Sequence, residues 1–228
     1  MRPCFPSVEQ QFHSKTSVIS WLRDFEHQTL SYQTGHDQAL ARLLPLLICG
    51  EQSSQWVFHN ERERLIAQGQ QESVEAFEEI VADEQYHEVA LEAVMNKLPQ
   101  PKDITSIKRR SQRFYTLLGR QETLGDHFAQ IACLDALVCQ IMKVMEKSAL
   151  GADHPFTLLC RAIKQDEAKH VSIAKKHAKK LGFDRSEWHQ FQHNVALKLR
   201  VLLESEQQAF SVLNVDLDDI FLPRKPTL

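Results

Sequence analysis

The chain has 228 residues, of which 43% are hydrophobic and 25% charged, a balance typical of a globular protein with a sizeable core. Its formal net charge of −3 gives no electrostatic reason to expect nucleic acid as the main partner. No apolar run approaches the ~20 residues that span a bilayer, and the N-terminus lacks the apolar segment of a signal peptide. We therefore expect a cytoplasmic protein without a membrane or nucleic-acid partner.

The cysteines indicate little covalent cross-linking. None of the five forms a CxxC pair, and their odd number argues against a disulfide framework or a zinc ribbon. Free thiols are typical of a reducing cytoplasm. We expect them, mostly buried, at Cys4, Cys49, Cys133, Cys139 and Cys160.

Apolar residues recur at helical spacing along the chain, without an alternating strand pattern. The pattern predicts a flanking helix over residues 17–32 and bundle helices over residues 37–67, 72–98, 121–148 and 155–181. Further flanking helices are predicted over residues 105–118 and 186–213, and residues 216–228 are expected to be extended. We predict an all-α fold and a single domain over residues 1–228, with a four-helix core over about residues 37–181.

One short motif occurs twice, once in each of two bundle helices. Asp83-Glu84-x-x-His87 returns as Asp166-Glu167-x-x-His170. Residues at i and i+3 share a helix face, so each Glu projects beside its His. A carboxylate beside an imidazole is half of a metal site, although a single Glu-x-x-His is a weak signal.

The other two bundle helices each carry a carboxylate within an apolar stripe. These are Glu51 and Asp135, and such a group is costly to bury unless it is paired or binds a metal. Glu122 and Asp126 are rivals to Asp135, but they lie nearer the start of their helix and off its apolar face. We therefore rank both below Asp135.

Hairpin geometry places the four positions at one level. Residues equidistant from the turn of an antiparallel helix pair lie side by side. The midpoint of Glu51 and Glu84 falls beside Gly69, and the midpoint of Asp135 and Glu167 is Gly151. At ~1.5 Å per residue, each pair lies roughly 24 Å from its own turn. Two such hairpins packed face to face would bring both motifs and both carboxylates together.

This constellation resembles the ferritin-like di-iron carboxylate superfamily, in which two helices each give a carboxylate and two give Glu-x-x-His. The resemblance covers about residues 37–181 and implies a ferritin-like four-helix bundle with additional terminal helices. It also implies that an acidic residue before each motif Glu, here Asp83 and Asp166, orients the opposite histidine. Asp135 is a departure, because Glu is commoner there. The implied metal ligands are Glu51, Glu84, His87, Asp135, Glu167 and His170.

The resemblance implies two Fe ions, with Mn or a mixed Mn/Fe pair as the alternative. The function we expect is an O₂-activating oxidase or oxygenase that acts on a small apolar or aromatic substrate. It would use an external electron donor, and the chain is compatible with a homodimer. The expected apolar lining of the site is Leu47, Phe58, Val138, Met142 and Ile163.

Two other function classes stay open. An iron-handling or peroxide-reducing protein of ferritin or rubrerythrin type is disfavoured by the lack of CxxC pairs and by the extra helices. A metal-free binding bundle leaves Glu51 and Asp135 unexplained. Within the oxygenase class, a basic cluster at residues 108–113 is a thin hint of a tRNA-modifying hydroxylase, but a solvated helix face explains it as well.

Several other side chains could lie near the site, but a structural role is the default for each. We expect His59, His127 and His177 at the surface and Tyr86, Tyr115 and Trp56 in packing roles.

Overall fold

The computed structural model describes residues 2–9, 12–28, 30 and 32–221, without the side chains of Glu72 and Arg185. Helices α1 to α5 are Val18–Phe25, His36–Ala67, Val74–Met95, Ile104–Leu118 and Leu124–Met145. Helices α6 to α9 are Pro155–Lys180, Trp188–Glu204, Gln207–Val212 and Asp218–Phe221. Single 3₁₀ turns, Gln71–Ser73 and Arg185–Glu187, precede α3 and α7. No strand occurs in these residues, so the predicted all-helical bundle with extra terminal helices is confirmed.

Two helical hairpins form the centre of the fold. Helix α2 packs along α3, and α5 packs along α6, more extensively than any other described pair of elements. Gly69 and Gly151 lie in the two connections with φ of 70° and 97°. Glycine adopts this left-handed conformation without the steric cost of a Cβ atom, so both residues favour a tight return of the chain.

The hairpins meet unevenly. Helices α3 and α6, which carry the two Asp-Glu-x-x-His motifs, approach each other closely, whereas α2 and α5 have far fewer close backbone approaches. Helix α4 packs against α2 on that wider side. The bundle is therefore closely packed between α3 and α6 and more open between α2 and α5.

A polar layer divides the apolar interior in two. On each of the four long helices, the motif level lies between residues of one buried apolar cluster and residues of the other. The first cluster includes Leu44, Leu91, Ile141 and Leu159. The second includes Phe58, Phe77, Phe128 and Ala174. Apolar side chains thus exclude water from the polar layer from both ends of the bundle.

Some predicted boundaries are wrong in instructive places. The first helix ends at Phe25 rather than near residue 32. The helix predicted over residues 186–213 is α7 and α8, separated at Ser205 and Glu206. Buried Glu206 accepts hydrogen bonds from Arg42 and Arg110, a tertiary ion cluster that local periodicity does not report. The expected extended tail begins with α9, and residues 222–228 lie outside the described residues.

Two side-chain expectations also need correction. Trp56 is 37% exposed and does not belong to the core. Cys4 and Cys49 are joined as a disulfide, so the expectation of five free thiols is wrong for this pair, while Cys133, Cys139 and Cys160 are free. Cys4 lies in an N-terminal segment without secondary structure, so sequence periodicity gave no sign that it reaches α2.

By length and composition alone, helix α5 could cross a membrane. Most of its apolar window is buried inside the protein, however, as in the core helix of a bundle. Its apolar character follows from contacts with α6 on one side and α7 on another.

Candidate metal centre

Six carboxylates and imidazoles from four helices lie in the polar layer. All are buried, none more than 6% exposed: Glu51 on α2, Glu84 and His87 on α3, Asp135 on α5, and Glu167 and His170 on α6. In one group of four, Glu51, Glu84, His87 and Glu167, the candidate ligand atoms lie within 4.8 Å of one another. A group of this composition could hold a metal ion.

Glu84 lies between the two histidines. Its Oε2 is 3.4 Å from Nδ1 of His87, and its Oε1 is 3.3 Å from Nδ1 of His170. One carboxylate therefore directs one oxygen toward each imidazole, so Glu84 would help to hold a cation beside either histidine.

Glu167 repeats this arrangement from the other hairpin. Its Oε1 is 3.9 Å from Nδ1 of His87, and its Oε2 is 3.7 Å from Nδ1 of His170. The two motif glutamates thus share both histidines, so the described geometry has two poles, one at each imidazole. The ring centroids of His87 and His170 are 6.1 Å apart.

Glu51 and Asp135 occupy outer positions. Oε2 of Glu51 is 3.3 Å from Nδ1 of His87, at the first pole. Asp135 lines the same cavity as Glu51 and comes from α5, the helix that pairs with the α6 helix of His170. The structure thus brings all six predicted residues to one centre, and their role as metal ligands stays a prediction.

The hydrogen bonding of the cluster fits a pair of cations. Four inward atoms are buried without a hydrogen-bond partner in the described part of the chain: Oε2 of Glu84, Oδ2 of Asp135 and Nδ1 of both His87 and His170. Buried polar atoms are seldom left unpaired, because each costs free energy. When ionised, Glu51, Glu84, Asp135 and Glu167 would balance the charge of two divalent cations, which would also satisfy the unpaired atoms.

The pKa values of the buried carboxylates shift in different directions. Burial raises the pKa of Glu51 well above its usual value, and the neighbouring Glu84 raises it further. Burial also raises the pKa of Asp135, with added repulsion from Glu167 and Glu84. Burial opposes ionisation of Glu84 too, but its close contacts with Glu51, His170 and His87 hold its pKa well below the usual value. The metal-free cluster therefore retains protons that bound cations would displace.

The motif aspartates hold the outer nitrogens of the histidines, crosswise between hairpins. Nε2 of His87 is 3.2 Å from Oδ2 of Asp166, and Nε2 of His170 is 3.3 Å from Oδ2 of Asp83. An aspartate that accepts a hydrogen bond from Nε2–H leaves the Nδ1 lone pair facing the centre. Burial opposes the charge of Asp166, yet hydrogen bonds, chiefly from His87, lower its pKa to about 2.

The N-terminal segment fastens both aspartates. The Thr16 hydroxyl donates to Oδ2 of Asp166 over 2.5 Å, and the Ser14 hydroxyl donates to Oδ1 of Asp83. Sequence reasoning missed both contacts. Ser14 and Thr16 precede the first helix, where no periodic pattern links a residue to a bundle face.

A cavity adjoins the cluster on the open side of the bundle, between α2, α4 and α5. Of the expected apolar lining, Leu47, Phe58 and Val138 border it, whereas Met142 and Ile163 are fully buried in the core. The centres of water-sized molecules have about 70 Å³ available there. A single water needs about 10–15 Å³ on this measure, so the cavity holds several waters or one small ring.

Two polar side chains join the cavity to the cluster. Ser54, one helical turn from Glu51, donates to Oε1 of Glu84 over 2.6 Å. Tyr115 on α4 forms part of the wall, and burial together with the nearby carboxylates, Glu51 foremost, raises its pKa. The spacing of Ser54 from Glu51 could have revealed the first contact, whereas the position of Tyr115 depends on how α4 packs.

Of the other residues considered from the sequence, two histidines are buried or border the cavity, and two carboxylates lie away from the cluster. His127 borders the cavity, and His177 is buried against Glu61, with 2.5 Å between Nε2 and Oε1, so neither is an ordinary surface residue. Glu122 is exposed, and Asp126 lies in the first turn of α5, where its backbone N–H meets the capping Thr123. Neither rival to Asp135 lies in the cluster.

Compared with protein families, curated proteins and solved structures, the chain matches none. Function must therefore be argued from the geometry of this centre alone.

Proposed function

We propose that this protein binds two Fe ions and uses them with O₂ to oxidise a small organic substrate, as an oxidase or oxygenase of the ferritin-like di-iron type. The observation that carries the proposal is the double placement of Glu84 and Glu167, each with one oxygen toward His87 and one toward His170. A single-metal site has no need of two shared carboxylates. Mixed nitrogen and oxygen donors suit iron, with manganese as the alternative.

The metal pair would supply the electrons that reduce O₂, and an external donor would restore them. The protein contributes the surroundings. Asp83 and Asp166 contact the outer nitrogens of both imidazoles, so the inner nitrogens would be the ones that face a cation. Apolar layers at both ends of the centre exclude water, and the cavity beside Glu51 and Asp135 gives a substrate one direction of approach.

The cavity favours oxidation of an organic molecule over iron storage or peroxide reduction. Its walls are mostly apolar, which suits a molecule with an apolar body better than hydrated ions. Iron storage would also require the uptake of many ions at this one buried centre.

Anaerobic loading with Fe(II) tests the proposal. Purified protein should take up about two irons per chain, as a two-metal site requires. Admission of O₂ should then produce new near-ultraviolet absorption, with consumption of O₂ in proportion to the bound iron. One iron or none per chain would overturn the dinuclear proposal, and continued uptake of many irons would favour storage.

A further inference from the structure

The cavity has a second polar end, remote from the carboxylates. Gln130 and His127 both border it from α5, in the helical turns that precede Asp135. Gln130 lies five residues and His127 eight residues before Asp135, which at ~1.5 Å per residue places them roughly 8 and 12 Å along the helix. The wall between the two ends is apolar and includes Val57, Ile131 and Leu134.

Gln130 has an unused hydrogen-bond acceptor. The side chain is only 6% exposed, and its Oε1 is buried with no hydrogen-bond partner among the described residues. Leaving a buried amide oxygen unpaired costs free energy, so such an atom indicates a group that arrives from outside the chain.

His127 offers a second acceptor beside it. Burial lowers the pKa of this imidazole, against a smaller opposing effect of a hydrogen bond to the backbone of Gly119, so the ring is neutral at pH 7. A neutral imidazole has one N–H and one lone pair. One nitrogen of the neutral ring can therefore accept a hydrogen bond.

We infer that the cavity binds a small molecule with an apolar, ring-sized body and a hydroxyl or amine at one end, which donates hydrogen bonds to Gln130 and His127. The opposite end of the molecule then lies against the carboxylate cluster. This inference rests on the proposed function for its catalytic meaning, since it selects the far end of the substrate as the one that is oxidised. Binding itself requires only the cavity.

Phenol and anisole are matched probes, because anisole keeps the ring but replaces the hydroxyl donor with a methyl ether. Calorimetric titration of the metal-free protein should show phenol binding about fivefold to tenfold more tightly than anisole, as expected for one buried hydrogen bond. Gln130→Leu, which keeps the side-chain volume, should remove most of this preference. Gln140→Leu, at an exposed position of the same helix, should leave it unchanged.

Three outcomes would overturn the inference. The first is equal binding of anisole and phenol, and the second is no binding of either probe. The third is a preference that survives in Gln130→Leu, which would place the hydroxyl at the carboxylates instead. His127→Phe provides an independent variant in case Gln130→Leu does not fold, and it should reduce the preference as well. Circular dichroism of each variant establishes that its helices persist.

Iron content measured on the same preparations separates the two proposals. Discrimination between the probes without iron binding would support the cavity assignment and defeat the proposed function. Two irons per chain without discrimination between the probes would support the proposed function and defeat the cavity assignment.

Discussion

The two halves of the centre use the same motif but are not equally complete. In the α2–α3 half, Glu51 reaches to 3.3 Å from His87, and these residues belong to the group of four ligand atoms within 4.8 Å. In the α5–α6 half, Asp135 lies outside that group, and its Oδ2 has no hydrogen-bond partner in the described structure. Aspartate is one methylene shorter than glutamate, so we expect its carboxylate to reach less far toward the centre. We predict that the first half is preformed and that cation binding would complete the second.

Glu84 should show the largest effect, because it faces the histidines of both halves. Glu84→Gln keeps the shape of the side chain but removes the charge shared between His87 and His170. We expect iron content to fall from about two per chain to less than about one half. The gain in melting temperature on iron loading should disappear with it, since bound cations stabilise the folded state by mass action.

The control for this variant is Glu92→Gln, an exposed glutamate on the same helix. It should bind iron like the unmodified protein. If Glu84→Gln also retained two irons, the shared role assigned to Glu84 would be wrong, and the centre would need another shared ligand.

The outer carboxylates should each account for one metal. Glu51→Gln and Asp135→Asn should each leave about one iron per chain, with the larger loss of affinity in Glu51→Gln because its half is the preformed one. Titration with Fe(II) under anaerobic conditions measures both. Equal losses of affinity would remove the proposed difference between the halves.

In the metal-free protein, replacing Asp135 should have a favourable effect on the stability of the fold. Because burial raises the pKa of Asp135, its folded form resists the ionisation that occurs freely in the unfolded chain above about pH 4. This difference costs stability at pH 7, and the cost disappears as the pH falls toward 4. Metal-free Asp135→Asn should therefore be more stable than the unmodified protein at pH 7, with a gain that shrinks toward pH 4. Denaturant unfolding at the two pH values measures this, and a stability loss at pH 7 would contradict it.

Exchanging the two side-chain lengths should reverse the asymmetry. Asp135→Glu extends the carboxylate into the adjoining cavity and should tighten the second metal position by a few-fold. Glu51→Asp shortens the carboxylate of the first half and should weaken iron binding at the first metal position by at least as much. Iron affinities of both variants, measured side by side, provide the comparison. If Asp135→Glu bound iron more weakly, crowding rather than reach would limit the second half.

The difference between the halves also shows how far sequence reasoning extends. The convergence of Glu51, Glu84, Asp135 and Glu167 could be predicted, because helical periodicity and equal distances from Gly69 and Gly151 are properties of the chain alone. Such arithmetic locates Cα positions to within about a helical turn, roughly 5 Å, and the difference in length between aspartate and glutamate is smaller than that margin.

Contacts that depend on tertiary packing were not predictable in this way. The break between α7 and α8 occurs at Glu206, which is held by arginines from α2 and α4. The Cys4–Cys49 disulfide and the hydroxyl contacts of Ser14 and Thr16 come from a segment without periodic structure. Each joins residues more than 40 positions apart, over which a local pattern carries no information.

The smallest effect should come from the hydroxyls that fasten the aspartates. Thr16 is buried and donates to Asp166, which orients His87 in the preformed half, whereas the half-buried Ser14 donates to Asp83 and so acts on His170. Loss of an aspartate that orients a metal-bound histidine typically costs about 10–100-fold in affinity. Thr16→Val removes only the support of that aspartate, so we expect a loss of a few-fold, confined to the position at His87.

Thr16→Ser restores the hydroxyl and should recover the affinity, and Ser17→Ala at the exposed neighbouring position should not change it. Ser14→Ala should weaken the other metal position instead. The two variants together test whether the N-terminal segment acts on each half separately. If Thr16→Val weakened both positions equally, the segment would stabilise the bundle as a whole, and the orientation of His87 would depend on Asp166 without help from Thr16.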